Sequence, residues 1–142
     1  MTAKQFEKEI IKWAKELKIK AFYFNRDDSM EFAACVGGMN NGKPFLTYNL
    51  SWINEYKGDW PSILFHEFGH IKYKHYVIQN NNIRVRIQKE YQAEKYAFEM
   101  IKKYFPKTVK GYVKRQMKMI NDNDWGMRWP VHQEAFRKVY SK

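Results

Sequence analysis

With 142 residues, 44% of them hydrophobic and 18% aromatic, the chain has the size and apolar content of one ordinary domain with a buried core. Charged residues make up 29%, and apolar runs such as 21–24 and 63–65 fall far short of the roughly 20 residues a membrane-spanning helix needs, so neither a membrane protein nor a low-complexity chain is expected. The net charge of +11 falls wholly in residues 72–142, where seventeen Lys and Arg face six Asp and Glu, while residues 1–71 balance.

In chain order, Thr2-Ala3-Lys4-Gln5 has the form of a capping box, and Phe6, Ile10, Trp13 and Leu17 follow at helical spacing with lysines between them. This predicts an amphipathic first helix. The charged N-terminus lacks an apolar stretch that could serve as a secretion signal, which predicts an intracellular, cytoplasmic protein. Short apolar runs at 21–24, 31–36 and 45–50, separated by turn formers, predict three antiparallel strands. Cys35 lies in the second run; as the only cysteine it cannot form an internal disulfide and reads as a buried, inert thiol. Asp59-Trp60-Pro61 offers a capping side chain and an early proline for a helix over about 60–76. A long helix follows from about Arg84 to Phe105, stopped by Pro106, then one from Thr108 to about Ile120 and a short last one opened by Pro130. The class is α+β: an N-terminal helix, a small three-stranded antiparallel sheet, a central helix and a helical C-terminal half, all in one domain over 1–142.

The chemistry sits in His66-Glu67-Phe68-Gly69-His70, an H-E-x-x-H pattern. Residues four apart on a helix share one face, so both imidazoles can ligate one zinc ion, while Glu67, turned about a quarter of the way round, can serve as general base toward a water on that ion. A catalytic zinc usually takes three protein ligands. On the helix over 84–105, Ile87, Tyr91, Phe98, Ile101 and Phe105 form an apolar stripe that also carries Glu90 and Glu94, two carboxylates that a buried zinc, or a buried Lys or Arg, would have to compensate. His75 points away from His66 and His70 if its helix runs on to 76, and His132 is too remote in sequence to place.

Together with Glu90-Tyr91-Gln92-Ala93-Glu94-Lys95-Tyr96-Ala97, the H-E-x-x-H segment resembles the gluzincins and, among them, the ImmA/IrrE type of metallopeptidase, over roughly residues 45–105. That resemblance implies a zincin-like fold with one zinc per chain, Glu90 as the third ligand, and Glu94 as a partner orienting a ligand imidazole. His75 matches an additional histidine often found in the family. Gln92 stands where the family usually has a second Glu, and Glu94 where it has Asn or Asp, which leaves open which carboxylate touches the metal.

The implied function is a zinc endopeptidase acting on an intracellular protein, with a transcriptional regulator as the implied kind of target. On the helix from about 107 to 120, Lys107, Lys110, Lys114, Arg115 and Lys118 project to one side and Val109, Tyr112, Val113, Met119 and Ile120 to the other, so the outer face is wholly cationic and is a candidate nucleic-acid contact. Trp125, Arg128 and Trp129 in the next loop could add stacking to that contact or pack as a cover over the core, and packing is the favoured reading. Two other readings fit the motif: an SprT-like DNA-associated protease, which would take His132 as third ligand, and a non-catalytic, metal-stabilised nucleic-acid-binding module.

Overall fold

The computed structural model describes residues 1–55, 58–77, 82–121 and 130–141, apart from the Met119 side chain. Helix α1 spans Ala3–Glu16, and its capping box forms as the sequence predicts: Gln5 N–H donates to Thr2 Oγ1 (3.1 Å) and Thr2 N–H to Gln5 Oε1 (2.7 Å). Its apolar stripe of Phe6, Ile10 and Trp13 is buried.

Strands β1 (Tyr23–Arg26), β2 (Ala34–Gly38) and β3 (Pro44–Tyr48) form one sheet in the order β1-β3-β2. β2 and β3 make the expected antiparallel pair, closed by a turn in which Gly42 takes the left-handed conformation at φ +79°. The expected all-antiparallel sheet is corrected at β1, which pairs with β3 in parallel. The connecting loop is held by Asn49, 1% exposed, whose side-chain amide donates to the carbonyls of Asp28 (3.1 Å) and Met30 (2.8 Å). This ties the 27–33 loop around the end of β3, so that β1 and β2 flank it on opposite sides. The Asn49 side-chain oxygen also accepts from Ser51 and Trp52 N–H, opening the short helix α2 (Leu50–Glu55) where the sequence reads as the end of a strand.

Helix α3 (Trp60–Lys72) is buried nearly all round through Leu64, Phe65, Phe68 and Ile71, and is the centre of the molecule. Asp59 precedes it but makes no side-chain cap; its carboxylate instead receives Arg115 Nε at 2.9 Å and Arg115 Nη2. The helix stops four residues short of the expected 76. Lys74, at φ +56°, turns the chain back.

Helix α4 (Ile83–Tyr104), capped by Asn82, lies against α3. Its most buried positions are Ala93, Glu94, Tyr96, Ala97 and Ile101. Gly69 lies directly against the α4 backbone, where an added Cβ would stand 2.7 Å from Ala93 Cα and 2.9 Å from Ala93 O. Backbone cannot swing aside as a side chain can. Gly69→Ala should therefore destabilise the protein by about 1–3 kcal/mol, although alanine is the better helix former by about 1 kcal/mol. A urea midpoint equal to that of the wild type would contradict this packing.

A short 3₁₀ turn at Pro106–Thr108 leads into α5 (Val109–Asn121), and α6 (Pro130–Tyr140) packs against α4 and α5. The layout is thus the expected α+β order of helix, small sheet and helical half. No helix among the described residues is long and apolar enough to cross a membrane. Trp125, Arg128 and Trp129 lie outside the described residues.

Candidate metal centre

Helices α3 and α4 aim most side chains of the site. His66 and His70 share one face of α3, with Nε2 atoms 3.2 Å apart. Across the α3–α4 contact, Glu90 presents one carboxylate oxygen 2.9 Å from His66 Nε2 and the other 3.3 Å from His70 Nε2. Two ligands held about 2.0–2.1 Å from a tetrahedral zinc stand about 3.4 Å apart, so these donor atoms have the spacing that one small ion requires. These three residues form a group that could hold a metal ion. Two imidazoles and one carboxylate also match the donor set of an open, catalytic zinc site.

Glu94 stands behind this triangle. Its Oε1 lies 2.9 Å from His66 Nδ1, and its Oε2 accepts from the hydroxyls of Tyr112, at 2.6 Å, and Tyr140. Glu94 therefore orients His66 from the far side of the ring while Glu90 faces the shared point. Among the described residues no Lys or Arg pairs with these carboxylates: the partners of Glu90 are His66, His70 and His132, and those of Glu94 are His66, Tyr112 and Tyr140.

Two histidines that the sequence alone does not place arrive by tertiary routes. The expectation that His75 points away is corrected, because the turn at Lys74 brings its Nδ1 to 2.9 Å from His70 Nδ1. His132, from α6, has Nε2 at 3.3 Å from Glu90 Oε2. Tyr112 and Tyr140 are further residues missed in the sequence. A signal was present, since a tyrosine on the inner stripe of an amphipathic helix needs a partner for its hydroxyl.

The electrostatics follow from burial. Burial opposes a charge on His66, but the hydrogen bonds to Glu90 and Glu94 outweigh it and raise its pKa well above the ordinary value. Burial likewise pushes Glu90 upward, and the surrounding histidines, His70 foremost, overcome it and hold the carboxylate well below its usual range. Burial raises the pKa of Glu67, with only partial relief from His70 and His66. His75 is pushed down to about 4, mainly by burial. A cation held among His66, His70 and Glu90 would compete with protons for the same nitrogen and oxygen atoms.

No protein-family model, curated protein or solved structure matches the chain.

The site opens into a cleft of about 810 Å³, lined by Glu67, His66 and His70 on one side and by Ala33 and the β2 residues Ala34 and Val36 on another. Cys35 also lines it and is half-buried rather than buried; burial pushes its thiol up to about 11, which keeps it unreactive at neutral pH. Lys107 in the 3₁₀ turn and Lys110, Lys114 and Lys118 on α5 are exposed while Tyr112 and Ile120 face the core, as the amphipathic pattern predicts. Arg115 is exposed too, but its guanidinium is engaged by Asp59, which removes it from the freely presented cationic face.

Proposed function

We propose that this chain is a zinc-dependent peptidase of the gluzincin kind, resembling the ImmA/IrrE type, with His66, His70 and Glu90 holding one zinc and Glu67 as general base. The observation that carries this reading is the convergence of two imidazole Nε2 atoms and a carboxylate at zinc-ligand spacing, in a cleft that also contains a buried glutamate.

Zinc bound there would polarise a peptide carbonyl and make water more acidic. The chain's own residues do the rest. Glu67, its pKa raised by burial, is suited to take a proton from the attacking water and hand it to the departing amine. Glu94, braced by Tyr112 and Tyr140, keeps His66 from rotating. A peptide is the favoured substrate because, among the described residues, β2 pairs only with β3, and its other edge borders the cleft, where an extended chain could add as a further strand. An intracellular, DNA-associated target accords with the exposed lysines of α5.

One observation favours a second reading. His132 lies close enough to Glu90 to take the third-ligand place of an SprT-like protease. Loss of metal in His132→Ala but not in Glu90→Gln would select it.

The test is metal analysis of the purified chain together with cleavage of an unfolded protein substrate. About one zinc per chain is expected, with cleavage abolished by a chelator and restored by zinc. A folded chain that takes up no metal under zinc-replete conditions would overturn the proposal. Metal without cleavage would point to a metal-stabilised binding module.

A further inference from the structure

His70 lacks the partner usual for a zinc-ligating imidazole. Such a ring almost always donates its second N–H to a carboxylate, a carbonyl or water. Here another imidazole fills that place: His70 Nδ1 lies 2.9 Å from His75 Nδ1, and His75 Nε2 lies 2.8 Å from Gln92 Oε1.

The direction of this chain can be worked out by counting protons. For His70 Nε2 to offer a lone pair to a metal at the point it shares with Glu90 and His66, the neutral ring must carry its proton on Nδ1. The Nδ1–H then points at His75 Nδ1, which must itself be unprotonated to accept it. A neutral His75 consequently carries its proton on Nε2 and donates it, and the atom opposite is the carbonyl oxygen of Gln92, an acceptor. Each step from His70 Nδ1 to Gln92 Oε1 then pairs one donor with one acceptor. With the Gln92 amide reversed, an N–H would face His75 Nε2. The protons would shift to His75 Nδ1 and His70 Nε2, and the lone pair would leave the metal-facing nitrogen.

The backbone holds His75 in place for this task. Its N–H donates to the His70 carbonyl at 3.0 Å, Lys89 Nζ donates to its carbonyl at 3.4 Å, and the Tyr73 ring stacks on its imidazole with an interplanar angle of 22°. The turn that achieves this places Lys74 at φ +56°, a conformation uncommon for a residue other than glycine.

We infer that His75 and Gln92 are positioning residues forming a directional relay, Gln92 Oε1 to His75 to His70, that sets the His70 tautomer and presents Nε2 to the metal. This rests on the zinc reading above and adds to it a role for two residues that do not themselves touch the ion.

The experiment measures zinc affinity by competition with a chromogenic chelator for the wild type, His66→Ala, His75→Ala, Gln92→Leu and Gln92→Glu. His75→Ala should weaken zinc binding about 10 to 100 fold, and Gln92→Leu should weaken it by a smaller factor. Gln92→Glu, which can only accept, should bind at least as tightly as the wild type. Nitrogen-15 spectra of the zinc-loaded wild type should show the proton of His70 on Nδ1 and that of His75 on Nε2. The inference is overturned by His75→Ala binding within twofold of a wild type that His66→Ala abolishes, by Gln92→Glu binding as weakly as Gln92→Leu, or by the opposite tautomers. A wild-type chain that binds no zinc overturns the metal reading as well, which separates the two failures. The Gln92 pair keeps the test decisive even if His75→Ala misfolds, because both changes are made at the same half-buried position.

Discussion

His66→Ala and His70→Ala are each expected to leave a folded chain that holds no zinc. Each substitution removes one of three donor atoms, and the remaining pair cannot close around an ion that is otherwise four-coordinate. Glu90→Gln should weaken binding almost as severely, since the carboxylate oxygens at 2.9 and 3.3 Å from the two imidazoles supply both the third donor and the negative charge. Glu94→Gln should reduce affinity by only about 10 to 100 fold, because Glu94 acts through the His66 ring. The same series has a thermal readout. Zinc that binds only the native state, at a free concentration 1,000 times its Kd, stabilises by about 4 kcal/mol. Addition of zinc should therefore raise the melting temperature of the wild type and leave that of the two histidine variants unmoved. A larger loss for Glu94→Gln than for Glu90→Gln would exchange the roles of the two carboxylates.

Glu67→Gln is expected to keep its zinc and lose turnover by a factor of about 10² to 10⁴, the usual range for removing a general base. Glutamine fills nearly the same space in the buried site but cannot carry the proton from water to the leaving amine. Stability should move the other way. Burial raises the Glu67 pKa, so the fold favours the protonated form, and the stability this group contributes falls as pH rises from its unfolded pKa through its higher native one. Above that window the ionised carboxylate is a burden that glutamine removes. The variant should thus unfold at an equal or higher denaturant concentration than the wild type, both measured with zinc chelated at neutral pH. Undiminished cleavage by a zinc-loaded Glu67→Gln would remove Glu67 from the reaction.

Much of the site was legible before any fold was known, because its first half is local. His66 and His70 meet through a four-residue spacing that any helix enforces, and Asp59-Trp60-Pro61 with the apolar spacing around it already marks a helix there. The apolar stripe of α4 likewise singled out Glu90 and Glu94 as carboxylates in need of compensation, and the capping box of α1 formed as written.

What the sequence could not decide lies beyond the reach of helical periodicity. Glu90 and Glu94 share one stripe; only the packing of α3 on α4, at the Gly69–Ala93 contact, and the arrival of two tyrosines from α5 and α6 separate the residue facing His70 from the one behind His66. His75 turned inward because α3 ended at Lys72 and the chain reversed at Lys74, a choice a local pattern does not announce in a lysine. His132 reached Glu90 from α6, and β1 joined β3 in parallel across a loop that Asn49 holds from 19 to 21 residues away. Sequence alone thus determined which residues a helix brings together within a turn or two. The tertiary structure decided which faces of different elements meet, since that depends on how the whole apolar surface can be buried at once.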